Sequence, residues 1–490
     1  MQALKKIFDK YFEYLLFGIM LIMFVLSCFI KPLPYIALGF AFVSAFALKT
    51  DKLVKFHIFL MLFPKPLMIG GAYYRVYDLL FVLPYLKNFV CDIVFKHKKI
   101  SFKPLIVIAL CLIYYLVVPT HYGSSIYNIV YRLAFLINIY FVYESRDSLD
   151  FKSIIKVLCY SFIVSSLFSF LNQYTPKLKL DGAYYLQNKI LRFDGMFLHP
   201  NELADFALIA LVGLMVLMYS EKISMPEFLG LFLTIFVFGY ISISRTFIVV
   251  FIVLLSIFTI LYVLKNKEKS LNFCLSLISI LLSMSLIFED ATNALIYRIG
   301  NDNGSIALDT HIFEEIKFFP QLEWLFSDEG RPYLLDIYDA KIYYDAGRVD
   351  LWTLYLTRIF ENPLSALFGY GLNASNIGKM HSHNALIYYI YKSGFVGFLL
   401  LVLFFLSMVE FKKVKELKTY IGSLLVPISF IGVSLLNNNN FDSVIYFIII
   451  AVICFSFKMK KDKPSAEKER IKMIERLDIW KTKYFDFFDK

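Results

Sequence analysis

Charge is what this chain has least of. Only 18% of its 490 residues are Asp, Glu, Lys or Arg, against 59% hydrophobic, whereas a soluble domain typically carries about 25% charged and 45–50% apolar residues. That shortfall excludes an ordinary water-soluble globule and places the chain among membrane proteins. Cysteine is also sparse. Cys28, Cys91, Cys111, Cys159, Cys274 and Cys454 lie in or beside apolar runs, so neither a disulfide framework nor a zinc pattern is visible. The chain has no D-x-D motif, Walker A loop, H-E-x-x-H or G-x-S-x-G. Metal-held nucleotide-sugar transfer, P-loop, zincin and α/β-hydrolase chemistry therefore have no sequence basis. No small-residue cleavage site follows the first apolar run, Tyr14 to Ile30, which predicts an uncleaved first span.

What the chain has in abundance is apolar runs rich in Phe (52) and Tyr (34). A membrane helix needs about 17–25 mostly apolar residues. Runs near 14–30, 33–48, 56–70, 76–91, 104–118, 126–143, 153–171, 203–219, 227–242, 247–264, 271–288, 388–409, 419–436 and 443–457 predict an all-α polytopic membrane protein of about 12–14 transmembrane helices. The stretch from Val54 to Leu86, broken by Pro64, Pro66 and Gly70-Gly71, also reads as a re-entrant hairpin.

A formal charge of +11 by itself raises nucleic acid as a partner. The positions of the charges argue otherwise. Of the 50 Lys and Arg, 32 fall at the two ends and in the segments Lys49 to Phe56, Lys87 to Lys103, Glu144 to Lys152, Ser220 to Pro226, Lys265 to Ser270 and Phe411 to Lys418. The short alternate loops Pro119 to Ser125 and Asn437 to Asp442 hold none. Positive residues accumulate on the cytoplasmic side, so both termini are expected there, and the charge is a topology signal rather than a nucleic-acid footprint. Five regions follow: N-terminal transmembrane helices (1–171), an outer loop with further spans (172–288), a large outer loop (289–387), C-terminal spans (388–457) and a basic cytoplasmic tail (458–490). Anionic lipid headgroups are the expected neighbours of that tail. The large loop carries 14 acidic and 7 basic residues. Within it Arg348 to Glu361 reads as an amphipathic helix, with Leu351, Trp352, Leu354, Tyr355, Ile359 and Phe360 on its apolar side.

Ionisable residues in or beside spans are functional candidates, because burying them costs about 2.5–3.5 kcal/mol even on translocon scales. Arg132 lies below the outer surface and either pairs with Asp78 or lines a cavity. Arg245, in Ser244-Arg245-Thr246, either snorkels at the interface or faces the site. Arg348 opens the amphipathic helix, where free N–H groups and a guanidinium suit an anion, although Asp350 could neutralise it. His381-Ser382-His383-Asn384 sets two imidazoles before the last spans. Their i, i+2 spacing disfavours a helical metal site and suits acid–base work, while a surface His pair with Asn384 as a helix cap would look identical. His199-Pro200-Asn201 reads as the entry turn of a span, with Asn201 capping it.

Together, Arg192-Phe193-Asp194-Gly195-Met196-Phe197, His199-Pro200-Asn201-Glu202-Leu203-Ala204, Ser244-Arg245-Thr246, Arg348-x-x-x-Trp352, Gly369-Tyr370-Gly371 and His383-Asn384 resemble the O-antigen ligase/polymerase superfamily (Wzy and WaaL types), over about residues 190–410. The first 150 residues match only as a hydrophobic pattern, and the acidic stretch Asn301 to Ala346 matches nothing in the family pattern. The resemblance implies a GT-C-like helical bundle under an outer-face loop domain. It also implies a metal-independent inverting glycosyltransferase without cofactor, in the bacterial cytoplasmic (inner) membrane, with its active site facing the periplasm or exterior. Donor and acceptor would be glycans on undecaprenyl pyrophosphate, and a chain-length regulator is the expected protein partner. By motif, Arg245 and Arg348 would hold the pyrophosphate and His383 would stand near the acceptor. Arg192 and Asn201 would shape the cavity, with Arg132, His381 and Asn384 as further substrate-binding candidates. Polymerisation of lipid-linked repeat units is the primary reading. Ligation of glycan to lipid A core is the alternative within the family, and a lipid-linked sugar flippase the alternative from another class. The candidate charges gather around one outer loop rather than near a midplane between related halves, which favours an enzyme over a transporter.

Overall fold

The computed structural model describes residues 2–27, 30, 32–63, 73–97, 100–118, 122–172, 184–187, 190–197, 199–265, 275–279, 283, 348–374, 377, 384–408 and 422–436. For some of these, among them 2–10, 73–78 and 348–351, it describes the backbone alone. Among the described residues the protein is all-α apart from one two-stranded hairpin. Its helices are α1 (Gln2–Ser27), α2 (Leu33–Ala47), α3 (Thr50–Met61), α4 (Tyr73–Lys96), α5 (Phe102–Val117), α6 (Ile126–Glu144), α7 (Phe151–Asn172), α8 (Pro200–Tyr219), α9 (Met225–Ile241), α10 (Arg245–Lys265), α11 (Arg348–Phe360), α12 (Pro363–Phe368), α13 (Ala385–Ser407) and α14 (Gly422–Leu436). Strands β1 (Tyr184–Gln187) and β2 (Ile190–Phe193) pair antiparallel between α7 and α8, with Tyr185 opposite Arg192.

Among the described residues, five helices are long and apolar enough to cross a membrane: α6, α7, α8, α10 and α13. Shorter apolar helices lie at Tyr11–Ser27, Leu33–Ala47, Phe102–Val117 and Met225–Ile241. Most of the expected spans thus coincide with helices. Of the run 56–70, α3 covers residues up to Met61, and 64–70 lie outside the described residues. Residues 443–457, and most of 271–288, lie outside the described residues.

The bundle is organised around α8. This helix is apolar all round and almost wholly buried, as expected of an element with neighbours on every side. It packs against α7, α9, α10 and α14. Gly213 lets α7 approach closely, since a Cβ there would stand 2.9 Å from Ile155. Gly239 does the same between α9 and α10, where a Cβ would meet the Phe247 ring at 2.4 Å. Small residues at such contacts are the usual device of membrane helix packing. Around this centre α3 packs on α7, α4 on α6, and α5 on α6 and α13.

Helix α13 is broken inside. Gly394 has φ 63° and ψ 178°, which leaves the carbonyls of the preceding turn without helical partners. The loop after α12 supplies partners. Tyr370 N–H donates to Tyr391 O (2.8 Å) and Gly371 N–H to Lys392 O (2.9 Å). The Tyr114 hydroxyl on α5 donates to Ser393 O (2.6 Å) and is also 3.0 Å from Phe368 O. Glycine is needed at this crossing. A Cβ on Gly369 would stand 2.5 Å from Gly394 N, and one on Gly394 would stand 2.2 Å from Leu367 O. The Gly369-Tyr370-Gly371 motif is therefore the backbone patch that closes a break in a membrane-length helix, as polar backbone in an apolar setting requires.

Candidate functional site

The segment before α8 builds a buried polar junction. Phe193 packs against Phe170 of α7 and Phe238 of α9, at ring centroid distances of 6.4 and 5.7 Å. Because successive strand residues face opposite ways, the neighbouring Arg192 points to the other side. Arg192 as a whole is only 1% exposed. Nε donates to Ser242 O at 2.9 Å and Nη2 to Asn201 Oδ1 at 2.7 Å. A tight turn follows, with Phe197 N–H donating to Asp194 O and Gly195 at φ 60°. A Cβ at Gly195 would press on Leu203 at 2.9 Å.

Pro200 decides how α8 begins. A proline pushes the residue before it into extended backbone, and His199 has φ −152° and ψ 144°. His199, not Asn201, is therefore the cap: its Nδ1 accepts from Asn201 N–H at 3.1 Å. This corrects the expectation that Asn201 caps the span, and it leaves the Asn201 side chain to receive Arg192. Glu202 sits in the first turn, favourably placed against the helix dipole.

The α9–α10 hairpin closes the junction. Ser242 is buried and Ile243 holds φ 50°, a left-handed conformation that a β-branched residue adopts only under strain of order 1–3 kcal/mol. Ser244 Oγ accepts from Phe247 N–H at 3.4 Å, so Ser244 caps α10 and Arg245 is its first helical residue. Arg245 is half-buried, with Thr246 buried beside it. A cation at a helix N-terminus opposes the helix dipole, while the free N–H groups of that turn suit an anion. The structure thus brings Arg192, Asn201 and the Ser242–Thr246 turn together, joining three motifs that are up to about 50 residues apart in sequence.

A second polar group lies on the α5–α6–α13 seam. The Arg132 guanidinium is 5.4 Å from the centre of the Tyr389 ring, and the hydroxyls of Tyr115 and Tyr389 are 3.1 Å apart. Arg132, Tyr115, Tyr389 and Cys111 line a small cavity of about 10 Å³, room for about one water. Of the two readings offered for Arg132, the geometry gives it an aromatic neighbour and a cavity; the side chain of Asp78 lies outside the described residues. Asn384 is buried, and its Oδ1 caps α13 by accepting from Leu386 N–H (3.1 Å) and Ile387 N–H (3.0 Å).

Arg348 is the first residue of α11, but its side chain is not among those described. His381 and His383 lie outside the described residues. On α11 the expected apolar side divides in two. Tyr355 and Ile359 are buried, and Tyr355 meets Tyr391 of α13 edge-on at 5.1 Å, whereas Leu354 and Phe360 are exposed. Burial pushes the Tyr355 phenol up, so it stays neutral while its oxygen accepts from Ile377 N–H at 3.1 Å.

Sequence reasoning passed over two carboxylates at the junction. Asp194 follows the strand of Arg192, and Asp205 lies one turn beyond Asn201 on α8; both are buried. The signal for Asp205 was present, since an acidic residue inside an apolar run is a functional candidate by default. Among the described residues no group of three or more His, Cys, Asp or Glu is placed to hold a metal ion.

The fold and these polar groups define a helical, multi-span membrane protein. No family model, curated protein or solved structure matches the chain.

Proposed function

We propose that this protein is a polysaccharide polymerase that transfers a growing glycan from undecaprenyl pyrophosphate onto the next lipid-linked repeat unit, at the outer face of a bacterial cytoplasmic membrane. The observation that carries the proposal is the junction itself. The hairpin bearing Arg245 is held by the carbonyl of Ser242 on the buried Arg192, which is held in turn by Asn201. That linkage fixes a half-buried cation at the start of a membrane helix, where a lipid-borne anion can reach it. Arg348 begins a second helix and is proposed as the other cation.

In the transfer, the bond between the anomeric carbon and phosphate breaks and its electron pair leaves with the pyrophosphate. Guanidinium groups bind such oxygens bidentately and stay charged throughout, so Arg245 and Arg348 stabilise the leaving group. His383, in its neutral form, takes the proton of the acceptor hydroxyl as it attacks from the opposite face, which inverts the anomeric centre. General-base help of this kind contributes about 10²–10⁴ in rate.

Deleting the gene and examining the glycan tests the reading. Single repeat units on the carrier or on lipid A are expected. Long polymer stranded on the carrier would instead mean a lost ligase, and repeat units confined to the cytoplasmic leaflet a lost flippase.

A further inference from the structure

A groove away from the polar junction has features of a lipid site. It lies between the end of α5 and the α11–α12 corner and has a volume of about 710 Å³, within the usual range of ligand sites, about 300–1,000 Å³. Val117, Val118, Leu364 and Phe368 make an apolar wall, and Arg358 and Glu361 supply the charged rim. These two charges stand one helical turn apart, pair with each other, and are 42% and 53% exposed. Both are anchored by Tyr370. Its hydroxyl donates to Arg358 O at 2.9 Å and lies 3.3 Å from Glu361 Oε2, and its ring is 5.2 Å from the guanidinium.

We infer that this groove binds a phospholipid with a zwitterionic, primary-ammonium headgroup, namely phosphatidylethanolamine, with the phosphate on Arg358, the ammonium on Glu361 and an acyl chain along Val117 and Leu364. Continuity and charge carry the argument. The apolar wall is not an isolated patch: Ile113 and Leu116 on α5, and Phe360 and Leu367 beside the groove, are all exposed, so the wall continues an apolar surface of the kind that faces lipid. An exposed ion pair is worth only about 0–1 kcal/mol, and a ligand carrying both charges replaces it at little cost. A purely anionic lipid would meet the Glu361 carboxylate, and inorganic phosphate would leave the apolar wall unused. The leaflet rests on the sidedness proposed above, since α5 starts at the basic segment ending in Lys103; the binding chemistry does not.

The test uses the full-length protein in detergent, titrated with equimolar phosphatidylethanolamine and phosphatidylglycerol and read by native mass spectrometry. Wild type is expected to retain phosphatidylethanolamine at least fivefold over phosphatidylglycerol. Arg358→Gln should lower retention of both lipids at least fivefold. Glu361→Gln should remove the preference and keep the phosphoglycerol lipid, with thermal melts showing that both variants stay folded. Equal retention of the two lipids by wild type would overturn the inference. So would unchanged retention in both variants, displacement by millimolar inorganic phosphate, or a dimer of the chain that Leu364→Ser converts to monomer.

Discussion

Arg192 is a large cation with almost no exposure, and its guanidinium donates to the Ser242 carbonyl and the Asn201 amide oxygen. A buried hydrogen bond to a charged group contributes about 1.5–3 kcal/mol. Asn201→Leu removes a buried, charge-assisted hydrogen bond, so a fall in stability of about 2–3 kcal/mol is expected, read as a lower melting temperature in detergent. Arg192→Lys should fail to rescue, because a single ammonium cannot span Ser242 and Asn201 as a planar fork does. Arg245 differs in being half-buried and at a helix start. Arg245→Ala is expected to leave the stability within about 1 kcal/mol of wild type while lowering polymer formation by about 10²-fold or more. Normal polymer length in Arg245→Ala, Arg348→Ala and His383→Ala at wild-type expression would remove these residues from the mechanism. Arg245 was legible as a candidate because a charged side chain between apolar runs stands out, whereas Arg192 and Asn201 entered as candidates only through the motifs of the family resemblance. Their division of labour was not legible, since a sequence does not say which guanidinium is enclosed and which is left accessible. The cap shows the same limit in small: Pro200 was visible, but the shift of the capping role to His199 depends on the backbone it imposes.

At the scale of elements, the break in α13 is the clearest case of cooperation. Gly394 looks like one more glycine in an apolar run, and Gly369-Tyr370-Gly371 like a loop motif. Only their contact explains both. Gly369→Ala and Gly394→Ala place a methyl against backbone at 2.2–2.5 Å, at positive φ, and each is expected to prevent accumulation of monodisperse protein by size-exclusion chromatography. Gly230→Ala, on α9 with nothing within 4 Å of the new Cβ, should be neutral or stabilise by up to about 1 kcal/mol. Tyr114→Phe removes the hydroxyl at Ser393 O and Phe368 O and should cost about 1–3 kcal/mol, with the melting temperature again the measurement. Helix α11 shows how far periodicity reaches. Its range and amphipathic character were readable, and the structure matches the range within a residue. That its apolar side serves two surroundings, with Tyr355 on α13 and Phe360 exposed, was not readable, because one stripe of apolar residues suits a protein face and a lipid face equally.

For the whole molecule, the distribution of Lys and Arg predicts sidedness, and labelling tests it. With an impermeant maleimide, Tyr127→Cys at the start of α6 should react in intact cells, while Glu221→Cys in the α8–α9 turn should react only after the membrane is opened. The reverse pattern would invert every loop and remove the outer-face site. Composition placed the chain in a membrane, and the length of its apolar runs made it helical, because a run long enough to cross as a helix satisfies its backbone polar groups within the segment. It also located most helices, since runs of apolar residues are bounded by proline, glycine and charge. Only the tertiary structure decided that α8 is enclosed at the centre while α5 and α10 keep exposed apolar faces. Only it brought Arg192, Asn201 and Ser242 into one hydrogen-bonded junction. The physical reason is that lipid tails are as apolar as a protein core. In water, polar residues mark the outside of every helix; in a bilayer that mark is absent, and which faces pack together is settled by shape, by small residues at close crossings and by the few polar groups that must find one another.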